Sequence, residues 1–303
     1  MPSAVNQAVL DALYTGWQTK LMMQFRSTKT YWQRLAMPTK SNAAKEEYPF
    51  VEDLGLMQEY FGEMAAESVI AQLHTVPNRK FAKVVTVRRE DIERDKLNLL
   101  PTSAASYGEA MALWPDDMLG EVLRSMFSIR CYDSQYFLDT DHPVGSGVVS
   151  NAGTKKLDFS TLAKAQGSFG LGKTAMQSLK DKDGKPYMIS PTLLVVGADL
   201  EDMAKAGMTA ERLEDGKNNI YRNACEVLMV PWMPANQWLL VDASKVTKPF
   251  IVQTEVAPQP LPPPSVDSDM WKMEEKAVFG CKARGNAHVA FWQLAWGSDG
   301  TVA

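Results

Sequence analysis

The sequence predicts an α+β fold, and three observations carry that prediction. β-type runs heavy in tryptophan fill the last third, in VLMVPWMPANQWLLVDAS from Val227 and WKMEEKAVFGCKARGNAHVAFWQLAW from Trp271. A one-sided helical pattern runs from Ser103 to Phe127, and a strand followed by a helix begins at Pro191. No cluster of nucleophile, base or metal ligands accompanies the tryptophans, so the work of this protein is expected on its surfaces.

Taken in order, Leu10, Leu13, Tyr14, Trp17 and Leu21 recur at intervals of three or four and give one helix face. That helix either packs on its own domain or lies as an arm across a neighbouring subunit. From Tyr48 to Asn98 the chain turns to extended runs punctuated by Gly and Pro. FAKVVTVR, Phe81 to Arg88, is β-branched enough for a strand, and PNRK before it is a turn signal. With Met64 to Val76 it is expected to form a long two-stranded hairpin, which alone is marginal in water and needs a surface to lie on.

The helix from Ser103 to Phe127, capped by Thr102 or Ser103, places Met111, Trp114, Met118, Val122 and Met126 on one stripe. Pro115 followed by Asp116 and Asp117 either kinks it or restarts it. Asp139 to Ser160 reads as a polar connection, and Thr161 opens a helix ending near the DKDG turn at Asp181. PTLLVVGAD is a buried strand, Asp199 is expected to cap the helix of LEDMAKAG, and Gly207 to end it. CEVLMVPW and QWLLVDAS supply two more strands. Five prolines between Val256 and Pro264 predict an extended loop, strands return through Ala295, and the tail GSDGTVA is expected to fray.

Composition excludes several classes. The 303 residues are 45% hydrophobic and 22% charged with a net charge of -4, which argues against gripping nucleic acid through its phosphates while leaving room for a container that encloses it. No apolar run reaches membrane-spanning length, and the start lacks a signal-peptide pattern, so a cytoplasmic origin without membrane contact is expected. Cys131, Cys225 and Cys281 are far apart and form no CxxC pair, and His74, His142 and His288 are isolated. No catalytic, cofactor-binding or metal-binding residue is assigned.

Three motifs invite chemistry and are read structurally. GSFGLGKT, Gly167 to Thr174, satisfies the phosphate-loop pattern, but TLAKAQ before it is helical in character where a buried strand is required. LDTDHP gathers Asp139, Asp141 and His142 without a second cluster to complete a metal shell, and is read as a turn. DKDGKP at Asp181 starts like a calcium loop, but its twelfth position is Thr192 where Glu is required. The seventeen methionines fall at helical core positions and suit adaptable packing.

Seven strings carry a resemblance in collinear order: LYTGWQTKL; VTVRREDIERDKLN from Val85; CYDSQYFLDTDHP from Cys131; PTLLVVGADLEDMAKA from Pro191; NNIYRNACEVLMVPWM from Asn218; QWLLVDAS with KPFIVQ; and VFGCKARGNAHVAFWQLAW. Together they resemble the Mu-like phage major head subunit, the gpT family, over nearly the whole chain. The resemblance implies a Hong Kong 97 (HK-97) like major capsid fold. Its parts would be an N-terminal arm at 1–47, an extended loop and peripheral strands at 48–100, and a peripheral domain with a spine helix at 101–160. An axial domain at 161–245 and returning peripheral strands at 246–303 would follow.

The same resemblance implies homo-hexamers and homo-pentamers in an icosahedral virion shell around double-stranded DNA, formed in the host cytoplasm. Portal, possible decoration proteins and a separate scaffolding protein are the implied partners, since no fused scaffolding segment is seen. A cellular nanocompartment shell of the same fold is the alternative, with a phosphate-loop enzyme behind it. Candidate inter-subunit contacts are Trp17, Tyr60, Phe61, Phe81, Arg88 and Arg89. Trp114, Met118, Trp232, Trp238, Phe279, Arg284 and Trp292 are expected to fix packing.

Overall fold

The computed structural model describes residues 5–50, 72–93 and 99–302. The chain opens with α1 (Gln7–Ser27), α2 (Trp32–Leu35), β1 (Ala36–Lys40), β2 (Lys45–Phe50), β3 (Gln72–Pro77), β4 (Arg79–Arg88), α3 (Arg89–Glu93) and α4 (Leu99–Arg124). Short strands β5 (His142–Val144), β6 (Gly147–Val149) and β7 (Ala152–Lys155) precede α5 (Leu162–Ala165), a π turn at Gln166–Gly170 and α6 (Leu171–Gln177). Then come β8 (Leu193–Val196), α7 (Glu201–Thr209), β9 (Glu226–Met229), β10 (Trp238–Val241), β11 (Phe250–Pro260), α8 (Asp269–Glu274), β12 (Lys276–Val289) and β13 (Ala295–Val302).

Two sheets organise these elements. The first has the order β1-β11-β12-β4, antiparallel except for β1 beside β11. β12 is its long central member because its residues alternate between a buried and a more open face, which suits a sheet covered on one side. The cover is α4, about 39 Å long at ~1.5 Å per residue, with α1 stacked on it. Leu10, Trp17 and Leu21 of α1, Tyr107 and Met111 of α4, and Phe279 of β12 form one buried cluster. Gly108 permits the helix crossing, since a Cβ there would lie 2.2 Å from the Leu21 carbonyl oxygen. Asn6 caps α1 by accepting from the Val9 N–H at 3.1 Å.

The second sheet has the order β7-β13-β10-β8-β9. β8 and β10 are buried at all four positions, as expected of strands covered on both faces. α7 makes the crossover from β8 to its parallel neighbour β9, and α6 packs against β13. One core runs continuously from this sheet into the first, through Phe137, Phe250 and the C-terminal half of α4.

Several expectations change. Of the expected hairpin, residues 64–71 lie outside the described residues, while the rest of its first strand, in β3, pairs with β2 and β4 pairs with β12. The single residue Asn78 between β3 and β4 lets the chain change sheets without a two-strand turn. The first helix lies on α4 of its own chain, so it is no free arm among the described residues. α4 starts at Leu99, so neither Thr102 nor Ser103 caps it, and it does not restart at Pro115.

The polar connection contains β5, β6 and β7, the last entering the second sheet beside β13. Asp199 caps no helix; its carboxylate accepts from the Asn236 N–H at 2.6 Å, and Leu200 precedes α7. Gly207 does not end α7 but lies within it, against the Phe159 ring.

Proline-rich Val256–Pro264 is strand as far as Pro260. β1 flanks β11 only as far as Thr254, and the ladder to β12 is irregular beyond it, so Pro258 and Pro260 sit on an open, bulged edge. As far as Val302 the tail does not fray: β13 lies between β10 and β7, with Gly297 and Ser298 buried and the Ser298 hydroxyl donating to the Lys155 carbonyl at 2.6 Å. The C-terminal strand therefore returns to the second sheet, where the division at 246 had placed it with the first.

Candidate assembly surfaces

The base of the β2–β3 ladder is built from polar side chains. Asn78 donates its amide to the Ser41 hydroxyl and the Ala43 carbonyl, both at 2.7 Å, and its oxygen accepts from Gln253 at 2.6 Å. Gln253, wholly buried on β11, also donates to the Val76 carbonyl, and Asn286 of β12 donates to that of Pro77. Glu46 accepts from the Asn42 and Ala43 N–H groups and the Ser41 hydroxyl, and the Asn42 bond foremost holds its carboxyl below the usual range. The ladder is thus fastened to the first sheet at one end, while β2 and β3 pair only with one another among the described residues.

Beside that base, a groove of about 790 Å³ runs between α4 and the β4–β12 edge. Tyr31, Phe81, Trp114 and Trp232 give it apolar walls, and Lys29, Lys80, Lys83 and Lys282 line it together with Asp116 and Asp117. Phe81 meets Trp114 edge-on at 5.6 Å, and Trp232 rests on Gly120, where a Cβ would come within 2.3 Å of the indole. The Trp114 N–H is buried and finds no acceptor among the described residues.

Asp116 accepts from the Trp32 N–H at 2.8 Å and the Tyr31 N–H at 3.1 Å, tying the α1–α2 link to α4. Burial pushes this carboxyl up to about 6, against the opposing pull of those two donors. Burial, with the nearby Asp116 and Asp117 charges, also raises the Tyr31 hydroxyl, which donates to the Asp116 carbonyl.

The open face of β4 and β12 is basic. Lys80 lies opposite Arg284 and Arg88 opposite Lys276, with Lys282 between them in the ladder. Like charges directly opposite one another cost stability. Arg284 is relieved by Glu255 at 2.9 Å and Lys276 by Glu274 at 3.0 Å. Among the described residues Lys80, Lys282 and Arg88 have no such carboxylate.

Of the expected contact residues, Trp17 is 2% exposed and packs on Tyr107 and Phe279, inside its own chain. Phe81 faces Trp114 in the groove. Arg88 is exposed near the end of β4, and Arg89 pairs with Glu93 at 2.8 Å and lies over the Trp271 ring. Tyr60 and Phe61 lie outside the described residues.

The packing residues divide more cleanly. Trp114, Met118, Trp238, Phe279 and Trp292 are buried and Trp232 half-buried, whereas Arg284 is exposed and pairs with Glu255. The Trp238 N–H donates to the Lys155 carbonyl at 3.0 Å.

The motifs read structurally are built into packing. GSFGLGKT is helical through the π turn and α6, so most of its N–H groups serve the helix; a Cβ on Gly170 or Gly172 would strike Tyr221 or Trp296. Lys173 points its ammonium over the Tyr221 ring at 5.9 Å. His142 is wholly buried, stacked on Trp292, and bonded to Asp133 at 2.6 Å and Asn151 at 3.1 Å.

Asp181 folds the DKDG turn by accepting from the Asp183 and Lys185 N–H groups. No group of three potential metal ligands occurs among the described residues. Burial raises all three thiols, Cys225 to about 12. Among the described residues no helix is long and apolar enough to cross a membrane.

The sequence reading missed Asn78, Gln253, Asp116 and the Asp133–His142–Asn151 network. Each is a polar residue whose partner is distant in sequence or set by a turn, so no local pattern marks it.

Solved shells share this architecture. The chain is similar to the procapsid subunit of bacteriophage JBD30, with a TM-score of 0.61 at 22% identity, over 97% of this chain and 76% of that one. The subunit of a virus-like particle from Pyrococcus furiosus matches at a TM-score of 0.56 and 9% identity, over 94% and 99%. These likenesses define the class of fold, which is HK-97-like.

The Mu-like prophage major head subunit gpT family matches residues 10–169, 160–233 and 234–303, and the chain belongs to that family. It is 22% identical over 298 residues to the Mu-like prophage FluMu major head subunit of Haemophilus influenzae, covering 98% of this chain and 75% of that protein. It is likewise 22% identical over 291 residues to the major capsid protein of Escherichia phage Mu, covering 96% and 73%. Membership favours a phage head subunit over a nanocompartment shell or a phosphate-loop enzyme.

Proposed function

We propose that the chain assembles with itself into hexamers and pentamers of an icosahedral shell that encloses double-stranded DNA without reading its sequence, and that it works as a structural subunit and not an enzyme. The β2–β3 ladder is the observation that carries this reading. It is fastened at its base by Asn78 and Gln253, and among the described residues no third strand joins it. A two-stranded ribbon is marginal alone and gains stability from a surface to lie on, which a neighbouring subunit supplies.

In this reading residues 48–77 overlap the adjacent subunit, α4 is the spine, and the second sheet gathers about the five-fold and six-fold axes. Many weak contacts closing on themselves then hold the shell. A separate scaffolding protein, a portal and decoration proteins are the partners that follow, with assembly in the host cytoplasm. Electron microscopy of purified chain, alone and with scaffold, is expected to reveal capsomers or closed particles; a monomer under every condition refutes the reading.

A further inference from the structure

We propose that Asp133, His142 and Asn151 form a proton-operated clasp. Closed, with a hydrogen on both ring nitrogens of His142, it holds the β5–β6 hairpin and the start of β7 on the core; loss of one of those hydrogens opens it. The inference does not rest on the shell reading and applies to the chain free or assembled.

Hydrogen-bond geometry carries the inference. The Asn151 amide nitrogen lies 2.8 Å from the Phe137 carbonyl oxygen, 3.3 Å from that of Trp292 and 3.4 Å from that of Ala295. Carbonyls only accept, so the amide cannot turn over without setting its own oxygen against all three. That oxygen therefore faces the Asp139 N–H at 2.9 Å and His142 Nε2 at 3.1 Å, and Nε2 must donate. Across the ring, Nδ1 lies 2.6 Å from Asp133 Oδ2, while Asp133 Oδ1 accepts from the Gln135 N–H at 3.1 Å. An ionised carboxylate only accepts, so Nδ1 donates too and the ring is an imidazolium. Moving the shared proton onto Asp133 leaves the proton count of the pair unchanged.

The surroundings favour that count. His142 and Asp133 are both buried. A neutral ring beside ionised Asp133 would leave a buried charge without its counter-ion and aim a ring lone pair at an oxygen. Trp292 lies flat against the imidazole, with centroids 4.0 Å apart at 10°, and an aromatic face attracts a cation. Cys131 and Tyr132 precede Asp133 in its turn, and burial foremost raises both, so thiol and hydroxyl stay neutral. The Asp139 carboxylate accepts from the Tyr136 and Thr140 N–H groups, Asp141 is exposed, and Trp292 and Gln293 of the facing turn are uncharged.

Three stretches meet at the clasp: the turn after α4 at 131–134, the hairpin and β7 at 142–155, and the turn Trp292–Leu294 that leads into β13. Among the described residues β5 and β6 pair only with one another, and β7 only with β13. The clasp therefore ties 142–155 to the core, whereas β8 and β10 are held by apolar burial. Imidazoles exchange their proton between about pH 5 and 8. Only the protonated ring makes both bonds, so the hold is full at the acid end and is lost as pH rises.

Hydrogen exchange of the full chain, corrected for the effect of pH on free amides, tests the clasp. Protection of 142–155 relative to β8 and β10 is expected to fall at least about tenfold between about pH 5 and 8. H142F keeps a ring against Trp292 but donates nothing, so its 142–155 amides are expected to be weakly protected at both ends. Asp116, whose value lies at about 6, is present in both proteins and cancels in the comparison.

A pH-independent ratio in wild type overturns the proposal. So does an equal fall in H142F, which assigns the response to another group. Should H142F not fold, nitrogen NMR of wild type labelled at histidine decides. A buried imidazole that carries two hydrogens at about pH 5 and loses one as 142–155 loosens supports the clasp. A single hydrogen at the acid end, or two retained while 142–155 loosens, overturns it.

Discussion

The two sheets of this chain use similar residues to opposite ends. In the second sheet, β8 and β10 are buried at every position and Trp238 packs on Trp296 at 5.2 Å, so the strands are sealed within the chain. In the first, β4 is nowhere fully buried, its open face carries opposed cations, and its neighbour β3 runs off into a ladder of its own. A closed core gains its stability from apolar burial alone, whereas an open sheet leaves charge and hydrogen-bonding edges for another surface. The difference leaves opposed charge and open strand edges on the first sheet and apolar burial in the second.

The strongest way to break this contrast is at Trp238. Replacing it by Ala empties the centre of the closed sheet and is expected to cost about 3–5 kcal/mol in chemical denaturation; a loss below about 1 kcal/mol would mean that this core is not sealed. Asn78→Ala is next. It removes bonds to Ser41 and Ala43 and leaves the Gln253 amide short of an acceptor, at an expected cost of about 1–3 kcal/mol. Hydrogen exchange should then quicken along β2 and β3 and stay unchanged in β8 and β10.

Asp116 sharpens the contrast through pH. Its folded-state value, about 6, lies above the ordinary 3.8, so the folded chain holds a proton that the unfolded chain releases. Its contribution to stability is full below 3.8 and is lost as pH rises through about 6. Thermal unfolding across that window should fall more steeply with rising pH for wild type than for Asp116→Asn. Parallel curves would remove the groove wall from the account, and Asp117, also raised by burial, would add to the slope in both proteins.

The smallest effect is expected at Lys173. Lys173→Ala should change stability by no more than about 0.5 kcal/mol and leave any ATP binding as it was. A large loss of nucleotide affinity would restore a phosphate-binding role to GSFGLGKT.

What could be read locally was read well. The buried run LLVV, the stripe on α4 with Trp114 and Met118, and the helix that opens at Thr161 all express short-range rules. Errors fell where a distant segment decides the outcome. GSDGTVA has the composition of a loose end, yet through Val302 it is strand, because β10 offers an unpaired edge to Gly297 and Ser298. Val256–Pro264 reads as loop until one sees that β1 stops at Thr254 and leaves its prolines on an open side. Trp17 looked suited to a partner's surface, but Gly108 brings α4 close enough for the chain's own core to take it.

By itself, then, the sequence determined the α+β class, the long helix and the buried strands, because hydrophobic periodicity and turn residues act over a few neighbours. Its collinear strings also indicated the family. Only the tertiary structure decided which strands share a sheet and that Asn78 and Gln253 fasten the hairpin. Those outcomes depend on contacts between residues far apart in sequence, 175 positions between Asn78 and Gln253, and no local pattern encodes them.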